Sequence, residues 1–229
     1  MPAFFINSSS ALTIFSGFSK RRLSIDWHAQ PVHGPASRRL WLVRHGESTW
    51  NALGLVQGQV TVPTLTAFGM CQARAQADSL SGEPITWLYS SDLRRALQTA
   101  SPIGRALGLD VHLDVRLRER SLGTAEGTPS ALLGPERSGI AEGRVVDADA
   151  APEGGESVRQ LYRRASECVT ELLRAGGDGD IALVCHGGIV RVLLAWLDEI
   201  EPDEMSWVDV DNGSAIVRAA PAPALAGST

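Results

Sequence analysis

The chain has 229 residues, of which 44% are apolar and 21% are charged, a composition typical of a globular protein with room for one sizeable α/β domain. Its formal net charge is −5, and because the first 39 residues hold five Lys and Arg side chains against one acid, the remainder carries −9. An acidic body of this kind argues against a nucleic-acid partner, whose phosphate backbone requires a broad basic face.

Three cysteines, Cys71, Cys168 and Cys185, lie far apart and form no CxxC pair. This spacing predicts neither a zinc site nor a disulfide framework, and it favours reduced thiols in the cytoplasm. No apolar run approaches the roughly 18 residues of a membrane span, because the apolar segment 187–198 is short and contains Arg191. We therefore expect a cytoplasmic protein with no membrane partner.

Residues 1–38 differ in composition from the rest of the chain, being rich in Ser, Phe and Pro. A signal peptide has its cations before the apolar stretch, whereas the basic run at 20–22 follows one here. We interpret residues 1–38 as a disordered extension, or as a spurious one that arises if translation really begins near Val32. A transit peptide, or another functional segment, is the alternative that the sequence leaves open.

From Arg39 onward, short apolar runs alternate with segments of helical periodicity. The predicted strands cover residues 40–43, 85–89, 111–115 and 180–185. The predicted helices cover residues 66–80, the stretch between the Ser90-Ser91-Asp92 cap and Gly108, the stretch from Ser157 to Gly176-Gly177, and residues 187–198. This alternation predicts an α/β fold over residues 39–218: a three-layer α/β/α sandwich with a mostly parallel sheet.

Two further segments do not fit the alternation. Residues 128–156 lack periodicity and are rich in Gly, Pro, Ala and acidic side chains, which predicts a surface lid. Residues 207–210 and 215–217 flank Asn212-Gly213, which predicts a hairpin at the edge of the sheet and, through that edge, a contact that would suit a homodimer. We expect residues 219–229, an Ala- and Pro-rich tail, to be disordered.

Polar side chains follow the ends of the predicted strands. In a parallel sheet, ligands bind at the carboxyl ends of the strands, so these side chains should share one edge. Two arginines can hold a phosphoryl group bidentately, a histidine can act as a nucleophile, and a carboxylic acid can protonate a leaving oxygen. The residues concerned are Arg44, His45, Arg94, Glu119 and His186.

Each of these residues also has a purely structural interpretation. A histidine after a strand is often a satisfied structural residue, as we expect of His112; Arg94 and Arg95 could be solvated helix charges. Glu119, between two arginines, could form a surface ion pair of small energetic value. It is the joint occurrence at corresponding strand ends that favours a site.

Four motifs resemble those of a known family. They are the segments LVRHGESTWN at 42–51, SSDLRRA at 90–96, LRERSLG at 117–123 with Glu126-Gly127, and CHGG at 185–188. In this order they resemble the signature of the histidine phosphatase superfamily, the phosphoglycerate-mutase-like enzymes, and they cover roughly residues 39–200. Four ordered blocks are far more specific than the RHG string alone.

The resemblance implies a phosphoglycerate-mutase-like fold and a role for each matching residue. His45 would attack phosphorus and become phosphohistidine, with its Nδ1 proton held by a backbone carbonyl. Glu119 would protonate the leaving alcohol and then activate water. The phosphoryl oxygens would be surrounded by cations and amides, including a charged imidazole, with no metal or other cofactor required; the residues are Arg44, Arg94, His186, Asn51, Gln57, Gly58 and Gly187.

The lid favours the phosphatase branch of this superfamily. Residues 128–156 hold six acids against Arg137 and Arg144, a cover that would retain a bisphosphate poorly. The mutases tend to have a tyrosine and an asparagine where this chain has Leu122 and Gly188. The prediction is a metal-independent phosphomonoesterase acting on a small organic phosphate. A mutase-type phosphotransferase and a non-catalytic phospholigand-binding protein remain alternatives.

Overall fold

The computed structural model describes residues 38–175, 177 and 179–221. The predictions for residues 1–37 and for the tail beyond residue 221 therefore fall outside the described residues. The strands are β1 (Arg39–Arg44), β2 (Ile85–Ser90), β3 (Val111–Leu113), β4 (Ile140–Ala141), β5 (Arg144–Val145), β6 (Asp180–Cys185) and β7 (Ala215–Ala219). The α-helices are α1 (Thr49–Ala52), α2 (Ala67–Leu80), α3 (Arg94–Leu107), α4 (Pro135–Ser138), α5 (Val158–Ala175) and α6 (Gly187–Leu197).

Five of these strands form one sheet in the order β3-β2-β6-β1-β7. The pairs β2–β3, β2–β6 and β1–β6 are parallel, and β7 runs antiparallel to β1 at the edge. The central strand β6 is buried at all six positions, as expected of a parallel strand covered on both faces. Its carboxyl end and that of its neighbour β1 therefore meet at one edge of the sheet.

Helices cover both faces, which confirms the α/β fold with a mostly parallel sheet. Because successive side chains of a strand point to opposite faces, Leu183 joins the core under α5 and α6, whereas Val184 joins the core under α2 and α3. Leu161 of α5 and Ile103 of α3 are both fully buried against the sheet. No helix among the described residues is long and apolar enough to cross a membrane.

Local capping explains where several elements begin and end. The Thr66 hydroxyl accepts the Gly69 amide at 3.0 Å and starts α2, and Gly108 ends α3 in the left-handed conformation that glycine tolerates best. The strand predicted at 111–115 is shorter than expected. Asp114 accepts the Arg116 amide at 2.8 Å and starts a 3₁₀ turn, Val115–Leu117, in place of the last two strand residues.

The hairpin predicted at 207–217 does not form. Only β7 is a strand, and residues 207–210 adopt no regular structure. Two carbonyls of this segment are used by side chains: Val208 accepts from Arg191 and Val210 accepts from Arg44. The segment thus lies over the end of the sheet instead of pairing with β7, and the homodimer through a hairpin edge stays a prediction.

The lid predicted at 128–156 contains short elements tied down by an arginine. It comprises a 3₁₀ turn at Ser130–Leu132, α4 and the two-stranded β4–β5 sheet. The buried Arg120 donates to the carbonyls of Ser138 at 2.6 Å, Ala150 at 2.8 Å and Glu156 at 2.7 Å. Arg120 follows Glu119 directly in the chain, so its side chain links the lid to the backbone beside Glu119.

Candidate active site

His45 and His186 face each other at the carboxyl ends of β1 and β6. Both are buried, their ring centroids lie 5.1 Å apart, and the rings meet edge to face at 64°. The His45 amide donates to the Cys185 carbonyl at 3.0 Å, which continues the β1–β6 ladder by one residue and fixes the two histidines in register. The sheet itself thus brings the pair together.

The ring of His45 is held in one tautomer. Its Nδ1 lies 2.7 Å from the Gly46 carbonyl oxygen, and since a carbonyl can only accept, Nδ1 carries the proton and Nε2 is free of one. Burial, with the charge of Arg95, holds the pKa of this imidazole well below its usual range. The predicted carbonyl contact is confirmed, and Nε2 has the lone pair that a nucleophile needs.

His186 differs from the expectation of a charged imidazole. It is the N-cap residue of α6, and its Nε2 lies 2.9 Å from the Ser91 hydroxyl, while Nδ1 has no partner within the described part of the chain. Burial, followed by the charge of Arg95, holds its pKa well below the usual range. The imidazole is therefore neutral in the free protein and offers a hydrogen bond instead of a charge.

The structure does not bring Arg94 into the site; its neighbour Arg95 takes the place expected for it. Arg94 is exposed at the start of α3, whereas Arg95 is 1% exposed. Arg95 donates to the carbonyls of Gly58 at 2.8 Å and Val60 at 3.0 Å, and burial lowers its pKa to about 10. One position along a helix turns a side chain by about 100°, which accounts for the difference.

A signal for Arg95 is present in the sequence. Thr99 lies four residues further along and therefore on the same face of α3. Its buried hydroxyl accepts the Gly46 amide at 3.1 Å, next to His45. Arg95 and Thr99 thus form a polar face of α3 directed towards the end of β1. The apolar stripe through Leu93 and Ala96 identifies only the face of α3 that packs on the core, and it does not report this polar face.

Arg44 ends β1 beside this pair. One of its terminal nitrogens donates to the Val210 carbonyl, and its buried Nε has no partner among the residues described. Burial lowers its pKa, and the nearby carboxylate of Glu119 opposes that shift. Arg44 and Arg95 thus place two guanidinium groups, each with an unpartnered buried Nε, around the two imidazoles.

Glu119 is fixed by two backbone amides. Its Oε1 accepts from the Arg120 amide at 2.7 Å and its Oε2 from the Gly188 amide at 3.0 Å. A Cβ on residue 188 would lie 2.1 Å from Oε1, so a side chain there would move the carboxylate away from its present position at the start of α6.

The loop that carries Glu119 is supported from α5. Arg164 donates to the carbonyls of Arg116 at 2.5 Å, Arg118 at 3.0 Å and Glu119 at 3.3 Å, and it pairs with Glu156 at 2.7 Å. The Gln59 amide also donates to the Glu119 carbonyl at 3.0 Å. The position of the acid is therefore determined by at least three elements of the fold.

The predicted binding residues surround the same region. Asn51 accepts the Ser48 amide at 3.1 Å and the Asn212 side-chain amide at 3.2 Å, and Gln57 accepts the Ser48 hydroxyl at 2.7 Å. Gly58 bonds to Arg95 as described above, and Gly187 is the first residue of α6. Arg191 is not among the residues predicted for this site, although a Cβ on Gly187 would lie 2.8 Å from its Nη1.

The arrangement concentrates positive charge and open hydrogen-bond donors around an unprotonated imidazole nitrogen. Two guanidinium groups and the amino-terminal amides of α6 suit an anion with several oxygens, such as a phosphoryl group. Within residues 38–175, 177 and 179–221, no three His, Cys, Asp or Glu side chains are grouped so as to hold a metal ion. The cluster supplies its own cations for an anionic ligand.

The two buried neutral histidines predict a pH dependence of stability. Their pKa values are depressed in the folded state, so below about pH 6.5 the unfolded chain binds protons that the folded chain does not. The free energy of unfolding should therefore have its full value above about pH 6.5 and decrease at lower pH. The slope of this decrease should approach about 1.4 kcal/mol per pH unit for each histidine. Urea unfolding between pH 7.5 and 5 measures this slope.

Two variants control this measurement. His45→Ala removes one of the two groups and should roughly halve the slope, whereas His112→Ala, which changes an exposed ring, should leave it intact. A wild-type free energy of unfolding that does not change between pH 7.5 and 5 would contradict the neutral, buried state of both imidazoles.

Comparison with known proteins agrees with this geometry. Residues 40–219 match the family model of the histidine phosphatase superfamily (branch 1). The chain is 37% identical over 169 residues to a glucosyl-3-phosphoglycerate phosphatase of Mycobacterium tuberculosis, covering 70% of this chain and 75% of that protein. It is 38% identical over 161 residues to a probable phosphoglycerate mutase of Yersinia pestis, covering 69% and 74%.

A solved structure extends the similarity to three dimensions. The mycobacterial glucosyl-3-phosphoglycerate phosphatase in complex with VO3 superposes with a TM-score of 0.71 at 34% identity, covering 79% of this chain and 92% of that one. The family match, the relatives and the shared fold lead to one conclusion: the chain belongs to the histidine phosphatase superfamily.

Proposed function

We propose that the chain is a metal-independent phosphomonoesterase that hydrolyses a small organic phosphate through a phosphohistidine at His45. The observation that carries this proposal is the state of the His45 ring, with Nδ1 bonded to the Gly46 carbonyl and Nε2 unprotonated. A buried nucleophile of this kind, surrounded by two guanidinium groups, is what phosphoryl transfer requires.

In the first step, His45 Nε2 forms a bond to phosphorus while the bond from phosphorus to the alcohol oxygen breaks. Glu119, in its protonated form, gives its proton to that oxygen, so the product leaves as a neutral alcohol. Arg44, Arg95 and the amide of Gly187 meet the charge on the three remaining oxygens. The open Nδ1 of His186 lies in the same buried cluster.

In the second step, a water oxygen attacks phosphorus and the bond to Nε2 breaks. The carboxylate of Glu119 takes the proton that the water loses, which restores the acid for the next cycle. Inorganic phosphate leaves, and His45 returns to the neutral tautomer that the Gly46 carbonyl holds. The two backbone amides on Glu119 keep the carboxylate in position for both proton transfers.

The composition of the lid supports transfer of the phosphoryl group to water instead of its return to the same substrate. The lid is acidic in composition. The N–H groups of Arg120 donate to lid carbonyls and so are not directed at a ligand. The similarity to the mycobacterial phosphatase favours hydrolysis, while the Yersinia relative, a probable phosphoglycerate mutase, keeps a phosphotransferase as the second candidate.

Turnover of p-nitrophenyl phosphate in the presence of EDTA tests the proposal. Steady release of inorganic phosphate equal to the nitrophenol formed supports a hydrolase that needs no free metal. Absence of turnover by the folded protein would favour a non-catalytic phospholigand-binding protein. Interconversion of phosphoglycerates faster than phosphate release would favour the mutase instead.

The role of Glu119 predicts a dependence on the leaving group. In Glu119→Gln, kcat/KM for an alkyl phosphate should fall by about 10²- to 10⁴-fold, because its poor leaving group needs the proton. The fall for p-nitrophenyl phosphate should be much smaller, because nitrophenolate leaves without protonation. The ratio of the two kcat/KM values is the measurement, and equal losses for both substrates would show that Glu119 acts only through structure.

A further inference from the structure

Ser91 contacts the ring of His186 instead of capping the helix that follows it. The sequence places this serine in the Ser90-Ser91-Asp92 cap, yet the N-cap residue of α3 is Leu93, which makes no side-chain cap bond. The Ser91 side chain is fully buried, and its hydroxyl oxygen lies 2.9 Å from His186 Nε2. The hydroxyl therefore serves the histidine and not the helix.

The sheet brings Ser91 and His186 together. In the β2–β6 ladder Ser90 pairs with Val184, and the Ser91 amide donates to the Val184 carbonyl at 2.9 Å. Ser91 is one residue past the end of β2, and His186 is one residue past the end of β6. Because the two strands are parallel neighbours, the topology of the sheet determines the contact between these side chains.

The Ser91 hydroxyl has one hydrogen, and its contacts indicate where that hydrogen goes. The Leu93 amide donates to the hydroxyl oxygen at 3.3 Å, and a backbone amide can only donate. Within the described part of the chain, His186 Nε2 is the one acceptor available to the hydroxyl. The hydroxyl therefore donates to Nε2, and Nε2 carries no proton.

This arrangement leaves the fewest buried polar groups unsatisfied. With Nε2 as the donor, neither the Ser91 hydrogen nor the buried Nδ1 would have a partner among the described residues. A doubly protonated ring would also leave the Ser91 hydrogen unpaired, and it would add a positive charge beside Arg44 and Arg95. Burial, followed by the charge of Arg95, lowers the pKa of His186 and so disfavours that form. The single ring proton is therefore on Nδ1.

The Nδ1–H group of His186 is an open donor at the site. The centroid of its ring lies 5.1 Å from that of His45, and the charges of Arg44 and Arg95 both act on it. No acceptor for this N–H is found among residues 38–175, 177 and 179–221. A buried donor without a protein partner suits a ligand oxygen, and phosphoryl oxygens are strong acceptors.

We propose that Ser91 is a positioning residue that fixes the tautomer of His186, so that the neutral ring donates Nδ1–H to the transferred phosphoryl group. This inference rests on the proposed phosphomonoesterase function. The Gly46 carbonyl holds the Nδ1 proton of His45 and leaves Nε2 free to attack. The Ser91 hydroxyl occupies Nε2 of His186 and leaves Nδ1–H free to donate. Since His186 keeps its proton, both proton transfers belong to Glu119.

NMR can locate the ring proton directly. In the protein labelled with ¹⁵N-histidine, long-range ¹H–¹⁵N correlation spectra at pH 7.5 should show His186 protonated at Nδ1 and unprotonated at Nε2. Ser91→Ala removes the donor to Nε2, so part of the His186 population should move its proton to that nitrogen. A wild-type ring protonated at Nε2 or at both nitrogens, or a spectrum that Ser91→Ala leaves unchanged, would overturn the proposal.

Ser90→Ala is the matched control for these spectra. Ser90 is also fully buried and precedes Ser91 directly, but its hydroxyl donates to the Ser91 carbonyl at 2.8 Å and not to the histidine. The His186 spectrum should stay that of the wild type in this variant. An equal change in both serine variants would show that the tautomer responds to packing and not to the Ser91 hydroxyl.

Two amide substitutions of His186 test which nitrogen donates. The amide nitrogen of asparagine can take the place of Nδ1, whereas that of glutamine takes the place of Nε2. For p-nitrophenyl phosphate, kcat should fall by about 10-fold or less in His186→Asn and by about 10²- to 10³-fold in His186→Gln, the scale for one preorganised donor. Because neither amide is charged, equal losses would favour a role for charge and overturn donation by Nδ1.

The kinetic effect of Ser91 should pass through His186 alone. Ser91→Ala should lower kcat by about 3- to 10-fold, the scale of one hydrogen bond, and Ser91→Thr, which keeps the hydroxyl, should recover most of the loss. Combined with His186→Ala, the Ser91→Ala change should cause no further loss, since no ring remains to position. Losses that add in the double variant would overturn the positioning role.

The outcomes separate this inference from the proposed function. The spectra need no substrate, so a wrong tautomer overturns the inference while p-nitrophenyl phosphate turnover in the same preparation upholds the phosphatase. Absence of turnover by a wild-type protein with the proton on Nδ1 removes the function, and donation to a transferred phosphoryl group with it.

Discussion

Replacement of His45 by alanine should reduce turnover of p-nitrophenyl phosphate by about 10⁴-fold or more, the scale seen when a covalent nucleophile is removed. The remaining cations could still bind the phosphoryl group, but no side chain would offer an unprotonated nitrogen at the position of Nε2. The measurement is kcat in EDTA for the wild-type and variant proteins, purified in parallel.

The matched control is His112→Ala. His112 is an exposed histidine of β3 that lies 5.4 Å from the Tyr89 ring and makes no contact with the site. Its replacement should preserve wild-type kcat. If His45→Ala retained more than a small fraction of kcat while remaining folded by circular dichroism, phosphoryl transfer through this residue would be excluded.

The second large effect separates two adjacent arginines. Arg95→Gln should lower kcat/KM by about 10²- to 10³-fold, because it removes a buried cation that the proposed mechanism places beside the transferred oxygens. Arg94→Gln changes an exposed residue on another side of the same helix turn and should leave kcat/KM close to that of the wild type. The pair is matched in residue type, in substitution and in position along α3.

Stability must be measured alongside this effect. Arg95→Gln leaves the carbonyls of Gly58 and Val60 without their donors, at a cost of about 1–3 kcal/mol each. Arg95→Lys keeps the charge and serves as the variant that can fold if the glutamine variant cannot. Inhibition by inorganic phosphate gives an independent readout, since its inhibition constant should rise in both Arg95 variants. Equal kinetic losses in Arg94→Gln and Arg95→Gln would contradict the site geometry.

Much of the fold can be predicted from local pattern. The apolar runs that became β1, β2 and β6 are short and continuous, and α2 and α3 carry their own signals in Thr66 and Gly108. Since parallel strands end at one edge, the meeting of His45, Glu119 and His186 also follows from the order of elements. To predict that these three residues meet, only the order of the strands and helices has to be correct.

The errors arise where a residue is determined by a distant partner. The segment 207–210 has hairpin character by itself, yet Arg44 and Arg191 take up two of its carbonyls. The choice between Arg94 and Arg95 depends on the contact of α3 with the loop after β1, which hydrophobic periodicity does not report. A one-residue error in a helix has a large consequence for a site.

The most direct test of the central claim is to trap the covalent intermediate. In Glu119→Gln, transfer from p-nitrophenyl phosphate to His45 should proceed while attack by water is slow, so the phosphoryl-enzyme should accumulate. After a quench in base, which preserves phosphohistidine, mass spectrometry of the digested protein should locate one phosphoryl group on the peptide containing His45. The adduct should disappear in acid and be absent when His45→Ala is combined with Glu119→Gln. An adduct on any other residue, or one that survives acid and is lost in base, would contradict the account.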